Sequence, residues 1–181
     1  IKQCLVGSEM CIRDRLNDPN GINMGSKRIT ISTAGVISKI EEFTKSKEKF
    51  KLAISLNGTT NEQRTSIMPI NIKNSLDELL NVARKYTETL NSWLTFEYVL
   101  LKEINDSVED AKRLLSMLAG MKKCKLNIIP YNETDGEFRR PDKDQIENFV
   151  IALRPAKFPI TVRWSKGTDI DAGCGQLATR N

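Results

Sequence analysis

Cys174 stands between two glycines near the end of the chain, in the stretch GTDIDAGCGQLATRN. A thiolate is both a nucleophile and a metal ligand, and flanking glycines give the backbone around it unusual freedom. A nucleophilic cysteine usually has a histidine as its base, but the 181-residue chain contains no histidine. Cys174 is therefore a candidate nucleophile whose chemistry must proceed without an imidazole.

The other three cysteines form no recognisable metal motif. They are Cys4, Cys11 and Cys124, and the gaps between successive cysteines are six, 112 and 49 residues. Zinc and iron–sulfur motifs need closer spacing, so we predict no metal site within this chain. Cys124 begins a predicted strand, where a buried structural thiol is expected. An even cysteine count without a secretory signal favours the cytoplasm over a disulfide framework.

The first fifteen residues look foreign to the rest of the sequence. The string CLVGSEMCIRDR has no helical or strand periodicity and resembles the translation of a sequencing-library adapter. We therefore expect residues 1–15 to be an artefact without structure, and residues 16–181 to be the structural part. On this interpretation the chain is a fragment that begins inside a gene.

Composition sets broad limits. The chain is 39% apolar and 28% charged, as is usual for one soluble domain, and its formal charge of +5 permits an anionic partner without requiring one. No apolar run approaches the length of a membrane-spanning helix, so we predict no membrane partner.

The elements that must position these residues alternate along the chain. β-Branched and apolar runs predict strands, and apolar residues at helical spacing predict helices. The predicted strands are 28–33, 51–58, 93–101, 124–132 and 160–164, and the predicted helices are 36–43, 74–90, 107–121 and 142–153. Asn74 or Ser75 can cap the second helix, and Ser107 with Asp110 has capping-box spacing.

Alternating strands and helices predict an α/β fold. We expect strands buried on both faces of a parallel sheet, either open or part of a (β/α) barrel. Ligands of such sheets gather at the carboxyl ends of the strands. The small polar residues at these exits are Ser32, Thr33, residues 55–57, Asn105, Asn132 and the segment after Trp164.

Several strings, in this order, resemble the C-terminal half of the 23S rRNA (adenine-C2)-methyltransferases of the radical S-adenosylmethionine superfamily. They are RITISTAGV, LAISLNGTTNEQR, IMPIN, TFEYVLLKEINDS, CKLNIIPYN, FRRP and DIDAGCGQLA. The resemblance spans about residues 16–180. It implies the C-terminal portion of a partial (β/α) barrel of the radical SAM type.

The resemblance also implies site residues. S-adenosylmethionine contacts carry over to Ser32, to Ser55, Leu56 and Asn57, and to Asn132. Many relatives have histidine at the position of Asn57, but asparagine can likewise donate and accept hydrogen bonds.

Cys174 matches the cysteine that carries the methyl group as S-methylcysteine. In the family, a second S-adenosylmethionine, reduced by a [4Fe–4S] cluster, yields a 5′-deoxyadenosyl radical that abstracts hydrogen from this methyl group. The carbon radical adds to C2 of an adenine, and a second cysteine helps to release the adduct. Because the cofactors carry the difficult step, no histidine is required.

The family's CxxxCxxC and Gly-Glu-Pro motifs are absent from this sequence. We expect the cluster ligands and the second cysteine on a missing N-terminal part, and the fragment alone to be inactive. The implied partners are 23S rRNA, tRNA as a further candidate, and an electron donor such as flavodoxin. Basic residues that could contact phosphate are Arg139, Arg140, Lys143, Arg154, Lys157, Arg163 and Lys166, and Tyr131 and Trp164 could stack on a base.

Three alternatives stay open. The sister enzymes methylate C8 of the same adenine and have a similar tail. A non-enzymatic RNA- or nucleotide-binding α/β domain would make Cys174 incidental. A barrel enzyme acting on a phosphorylated metabolite is disfavoured by the absence of a Gly-rich phosphate loop.

Overall fold

Five parallel strands form one sheet in the computed structural model, which describes residues 6–47, 49–133 and 136–164. The strands are β1 (Thr30–Thr33), β2 (Lys51–Ser55), β3 (Leu94–Leu100), β4 (Cys124–Pro130) and β5 (Ile160–Val162). The helices are α1 (Val6–Asn17), α2 (Ile37–Lys45), α3 (Asn61–Ile67), α4 (Leu76–Leu90), α5 (Val108–Leu118) and α6 (Lys143–Ala152). Short 3-10 helices cover Ser26–Arg28 and Pro69–Ile72.

The strands lie side by side in chain order, from β1 to β5, and every neighbouring pair is parallel. Right-handed crossovers between sequential parallel strands place their helices on one face of the sheet. This is the winding of a (β/α) barrel. A doubly wound sheet would need a reversal of strand order, which these five strands do not show. The prediction of a partial barrel is confirmed.

The two faces of the sheet differ in chemistry. On the covered face, strand residues pack with helix residues such as Leu79, Leu114 and Phe149 in one core. The covered-face strand residues are Leu52, Ile54, Leu94, Phe96, Tyr98, Leu100, Cys124, Leu126 and Ile128. The expectation that strands are buried on both faces is wrong, because the opposite face is largely exposed or half-buried, with Ala53 and Thr95 as buried exceptions. We call this opposite face the open face.

Local sequence signals account for the helix starts. Ser75 caps α4, one of the two residues predicted for that position, and it also forms a capping box with Glu78. The capping box predicted for Ser107 and Asp110 is present at the start of α5. Asn74 has a different role from the one considered. Its Oδ1 accepts a hydrogen bond of 2.9 Å from the backbone N of Ile37, the first residue of α2. Asn74 therefore joins the starts of two neighbouring helices.

Two helices depart from the sequence-based expectation. α3 has no apolar periodicity, and it begins where the Thr60 side chain accepts from the backbone N of Gln63. α1 covers much of residues 1–15, which we expected to lack structure. Within it Arg13 is only 9% exposed, and its guanidinium carbon lies 4.9 Å from the centroid of the Phe50 ring. Among the described residues, no helix has both the length and the apolar character needed to cross a membrane.

Candidate functional site

Two of the predicted cofactor residues lie on the open face, near the carboxyl edge of the sheet. Ser32 of β1 pairs in register with Ala53, which is two residues before Ser55 on β2. Both serines therefore point to the same side of neighbouring strands. Ser32 is exposed and Ser55 is half-buried. Their hydroxyls can both donate to and accept from a polar ligand lying across β1 and β2.

Leu56 lies on the other side of the sheet. Its side chain is 0% exposed and belongs to the core. Its backbone N donates to the Glu97 carbonyl over 2.8 Å, and its carbonyl accepts from Nε of Arg64 over 3.0 Å. The structure therefore does not bring Leu56 to the open face with the two serines.

Asn57 holds the exit of β2 against β3. Its φ of 52° is left-handed, a conformation that asparagine tolerates better than most residues. Its Oδ1 accepts from the backbone N of Val99 over 2.9 Å, and its Nδ2 lies 3.4 Å from Sδ of Met68. The amide of Asn57 thus extends the contact between β2 and β3 beyond their regular pairing.

Asn105 is a structural residue, although sequence alone grouped it with the ligand-facing exits. It is 0% exposed, and its Nδ2 donates to the carbonyls of Asn57 and Val99 over 2.9 and 2.8 Å. Its Oδ1 accepts from the backbone N of Leu101 over 2.7 Å. These three bonds commit both ends of the side-chain amide to the protein.

The structure describes one of the two remaining predicted site residues, Asn132. Asn132 follows β4 and is 5% exposed. Cys174 lies outside the described residues. Cys124 is buried, as predicted, and burial raises the pKa of its thiol to about 11. Such a thiol is protonated at neutral pH and is a poor nucleophile.

Arg64, which sequence reasoning missed, is a buried and extensively hydrogen-bonded residue at this edge. Its side chain is 0% exposed. Nη2 donates to the carbonyl of Ala34 over 2.6 Å and lies 3.4 Å from that of Ser55, while Nε donates to Leu56. Nη1 donates to Oδ1 of Asn71 over 2.9 Å. One guanidinium therefore joins the chain just beyond β1 to the end of β2.

Two glycines leave room for this guanidinium. A Cβ at Gly35, whose φ is 101°, would lie 2.8 Å from Nη2 of Arg64, and one at Gly58 would lie 2.7 Å from its Cβ. Burial lowers the pKa of Arg64 to about 10, so it remains protonated at neutral pH. The two glycines at strand exits, followed by a nearby arginine, were the sequence signal that could have indicated this arrangement.

A second buried network lies behind the exit of β3, around Asp110. Its Oδ1 accepts from the hydroxyl of Thr59, Nε2 of Gln63 and Nη2 of Arg113 over 2.6, 3.0 and 2.5 Å. Its Oδ2 accepts from the hydroxyl of Ser107 over 2.6 Å. Burial raises the pKa of Asp110, but these hydrogen bonds outweigh burial, so the net pKa is lowered and the group stays ionised.

The basic C-terminal residues divide between the two edges of the sheet. Arg139 and Arg140 lie at the carboxyl edge, where the Arg139 carbonyl accepts from the backbone N of Lys102 just beyond β3. Lys143, at the start of α6, and Arg163, directly after β5, share that edge. Arg154 and Lys157 connect α6 to the start of β5, at the opposite edge. Lys166 lies outside the described residues.

An arginine–tryptophan pair marks the carboxyl edge. The guanidinium carbon of Arg140 lies 5.5 Å from the ring centroid of Trp164, within the range of a cation–π contact. Trp164 is 53% exposed. Tyr131 instead packs edge-to-face with Phe138 at 6.1 Å. Of the two aromatic residues considered for base stacking, Trp164 is the one with the more accessible ring.

The described residues contain no group of three or more cysteine, aspartate or glutamate side chains placed to hold a metal ion. Cys124 is the free cysteine described there, and it is buried. These residues do not fit an iron–sulfur cluster. The open face instead offers polar groups to a small molecule, because Ser32 and Ser55 lie on the same side of neighbouring strands.

The sheet, its one-sided helices and its polar open face define a partial (β/α) barrel. A radical SAM methyltransferase from Sphaerobacter thermophilus has the same fold, with a TM-score of 0.88 and 37% identity over 94% of this chain and 50% of that one. A domain of a pyruvate-formate lyase-activating enzyme from Bacteroides vulgatus superposes with a TM-score of 0.65 over 87% of this chain and 92% of its own. At 12% identity, that second likeness concerns the fold alone.

The curated proteins that the chain resembles have more specific names than the solved structures. A protein of Leptospira interrogans named "Probable dual-specificity RNA methyltransferase RlmN" is 42% identical over 165 residues, or 91% of this chain and 46% of the relative. A protein of the same name from Pseudothermotoga lettingae is 42% identical over 92% of this chain and 48% of its own. The chain spans about half the length of the curated relatives it matches. No protein-family profile matches it. The resemblance inferred from the sequence motifs is thus confirmed.

Proposed function

We propose that the complete protein carrying this chain is a radical SAM methyltransferase that methylates C2 of an adenine in RNA, with 23S rRNA as the first substrate and tRNA as the second. The observation that carries this proposal is the placement of Ser32 and Ser55 on the same side of neighbouring strands, in a chain 42% identical to a relative named as a probable RNA methyltransferase. The proposed protein acts in the cytoplasm with an electron donor such as flavodoxin.

In this proposal the polar exits hold S-adenosylmethionine. Ser32 and Ser55 offer hydroxyls from the open face, residues 56–57 follow Ser55 at the exit of β2, and Asn132 lies at the exit of β4. S-adenosylmethionine supplies an electrophilic methyl group when bound. The thiolate of Cys174 accepts that methyl group and has to reach both the cofactor and the adenine. The sequence has a glycine on each side of Cys174, and glycine restricts the backbone less than any other residue.

The RNA-facing surface in this proposal is the basic carboxyl edge. Arg139, Arg140, Lys143 and Arg163 belong to that edge, where a substrate must approach the cofactor. Cationic side chains there can neutralise phosphates, and the exposed ring of Trp164 can stack on an unpaired base. Arg154 and Lys157 lie at the opposite edge and are not part of this surface.

The proposed ligands of the [4Fe–4S] cluster and the second catalytic cysteine lie outside this chain. The match to the Leptospira relative leaves 16 of the 181 residues unaligned, close to the number set aside as adapter-derived. We keep that origin of residues 1–15 as part of the proposal, although residues 6–15 are helical.

The test is a chimaera that joins the first half of the Leptospira relative to residues 16–181. The chimaera, reconstituted anaerobically with its cluster and incubated with RNA and S-adenosylmethionine, should produce 2-methyladenosine, detected by mass spectrometry of nucleosides. Replacement of the methyl-accepting thiol, Cys174→Ala, should lower the rate by roughly a hundredfold or more. The matched control is Cys124→Ala, which removes the buried thiol and should leave methylation in place.

Other products would decide between the alternatives. 8-Methyladenosine would assign the chain to the sister activity. Methylation that survives Cys174→Ala would contradict the proposed methyl carrier and favour a binding domain fused to a foreign catalytic half. A cluster formed by the 181-residue chain alone would show that its ligands do not lie elsewhere.

A further inference from the structure

We infer that Arg64 is a positioning residue for the cofactor site, holding the carboxyl ends of β1 and β2 in the arrangement that Ser32 and Ser55 require. This inference rests on the proposed function, because it concerns the same site. The inference goes beyond the proposed function because it assigns a role to a buried side chain that does not itself face the cofactor.

The geometry of the guanidinium supports this role. Its bond to the Ala34 carbonyl acts two residues beyond Ser32, and its bond to the Leu56 carbonyl acts one residue beyond Ser55. The guanidinium group is rigid and planar and has five N–H donors, so it can fix acceptors on two strands at set angles. A lysine ammonium is a compact point charge on a flexible stem and cannot reproduce that geometry.

The neutral character of the partners of Arg64 supports the inference. All four acceptors that it contacts are neutral oxygens, namely three backbone carbonyls and Oδ1 of Asn71. Among the described residues, Arg64 forms no ion pair with a carboxylate. A buried charge without a counter-charge depends on hydrogen bonds to offset its desolvation cost. The bonds of Arg64 therefore tie its side chain to the strand exits rather than to a charged partner.

A supporting layer holds the guanidinium in turn. Nδ2 of Asn71 donates to the carbonyl of Asn61 over 3.1 Å and to the hydroxyl of Thr65 over 2.9 Å, which leaves its Oδ1 facing Arg64. Oδ1 of Asn61 accepts from the backbone N of Leu76 over 2.9 Å. The string IMPIN therefore contributes Asn71 to a chain of contacts that runs from α4 to the cofactor edge.

The test measures S-adenosylmethionine binding to the 181-residue chain by NMR titration, with Arg64→Lys and Arg64→Gln. Temperatures are chosen at which circular dichroism shows each variant folded. We expect Arg64→Lys to weaken binding roughly tenfold and Arg64→Gln to weaken it further, because placement of the binding groups is lost. Amide hydrogen exchange should quicken at residues 34–35 and 55–57 in the unliganded variants.

Two controls separate positioning from general destabilisation. Arg113→Lys changes an arginine of the Asp110 network and should alter affinity less than twofold. Ile128→Val removes a core methylene on the covered face, costs about 1 kcal/mol of stability, and should also leave affinity unchanged.

The outcomes are distinct. Equal affinity of wild type and Arg64→Lys would overturn the positioning role while leaving the proposed function intact. Affinity that falls equally in Ile128→Val would reduce Arg64 to a stability effect and overturn it as well. Absence of binding by the wild-type chain would contradict the cofactor site itself, and the inference would fall with it.

Discussion

Two buried charges behind the carboxyl edge, Arg64 and Asp110, are satisfied in opposite ways. The partners of Asp110 include side chains from α3 and α5, among them the oppositely charged Arg113. Arg64 has only neutral partners, and three of the four are backbone carbonyls. Asp110 therefore fixes how helices begin, whereas Arg64 fixes where strands end. Both networks stabilise the fold, and the contacts of Arg64 also lie beside the open-face residues Ser32 and Ser55.

Replacing Arg64 should have the largest effect on stability. Arg64→Met leaves the carbonyls of Ala34 and Leu56 without their donor in a buried site. We expect a loss of about 3–5 kcal/mol in the free energy of unfolding, measured by urea denaturation. Arg113→Met, in the other network, should cost no more than about 1 kcal/mol because its side chain is 44% exposed. Equal losses would remove the distinction between the networks.

Asp110→Asn should have the next largest effect, about 2 kcal/mol at neutral pH. The amide retains one acceptor oxygen but brings an NH2 group against the donors of Thr59, Gln63 or Ser107. Because the charge is also lost, Arg113 no longer has its ion-pair partner. Thermal unfolding followed by circular dichroism measures the change.

The pH dependence of that variant gives an independent check. The folded-state pKa of Asp110 is lowered from its usual 3.8. Its stabilising contribution is therefore complete above the unfolded-state pKa and is lost as the pH falls through the lower folded-state value. Wild type and Asp110→Asn should accordingly converge in stability in acid. A difference that stays constant from pH 7 to pH 2 would contradict the ionised state of Asp110.

Thr59→Val tests a single link of the Asp110 network. The hydroxyl donates to Asp110 and accepts from Nε of Arg113 over 2.9 Å, and valine keeps the shape without the oxygen. We expect a loss of about 1 kcal/mol in urea denaturation. Combined with Asp110→Asn, the losses should be less than additive because both variants break the same bond. Strict additivity would show that the two residues act independently.

Asp106→Asn should have the smallest effect and serves as the matched control for Asp110. Burial raises the pKa of Asp106, so its charge is unfavourable in the folded state, the reverse of Asp110. Its Oδ1 accepts from the backbone N of Glu103, and an asparagine oxygen can do the same. We expect a change within about 0.5 kcal/mol at pH 7. A loss as large as that of Asp110→Asn would contradict the opposite pKa directions.

The alternation of strands and helices was predictable from sequence because buried apolar runs and amphipathic helices have distinct periods. The capping boxes at Ser75 and Ser107 were predictable for a similar reason, since spacing of three residues brings the side chain to the backbone N–H. α3 was not predictable from periodicity. It buries Arg64 rather than an apolar stripe, and its polar residues are ordered by contacts to distant parts of the chain.

Site residues were predicted only as far as strand exits could be located. Ser32 and Ser55 follow from the rule that ligands gather at carboxyl ends. The separation of Leu56 from them depends on strand register, because neighbouring residues of a strand face opposite sides. Asn105 resembled a ligand-facing residue until its partners were known. Arg64 was not identified from the sequence because most of its acceptors are backbone carbonyls, which residue types do not reveal.

β1 lies at the margin of the sheet and contacts one neighbouring strand, β2, within the described part of the chain. Its other side presents backbone N–H and C=O groups that can recruit an additional strand. An exposed edge of this kind can pair with another strand in solution. In the isolated polypeptide we expect this exposed edge to promote self-association. In a larger protein it can pair with a strand from another part of the molecule. Ser32 lies on that margin, so pairing there would bring new side chains directly beside the proposed cofactor site.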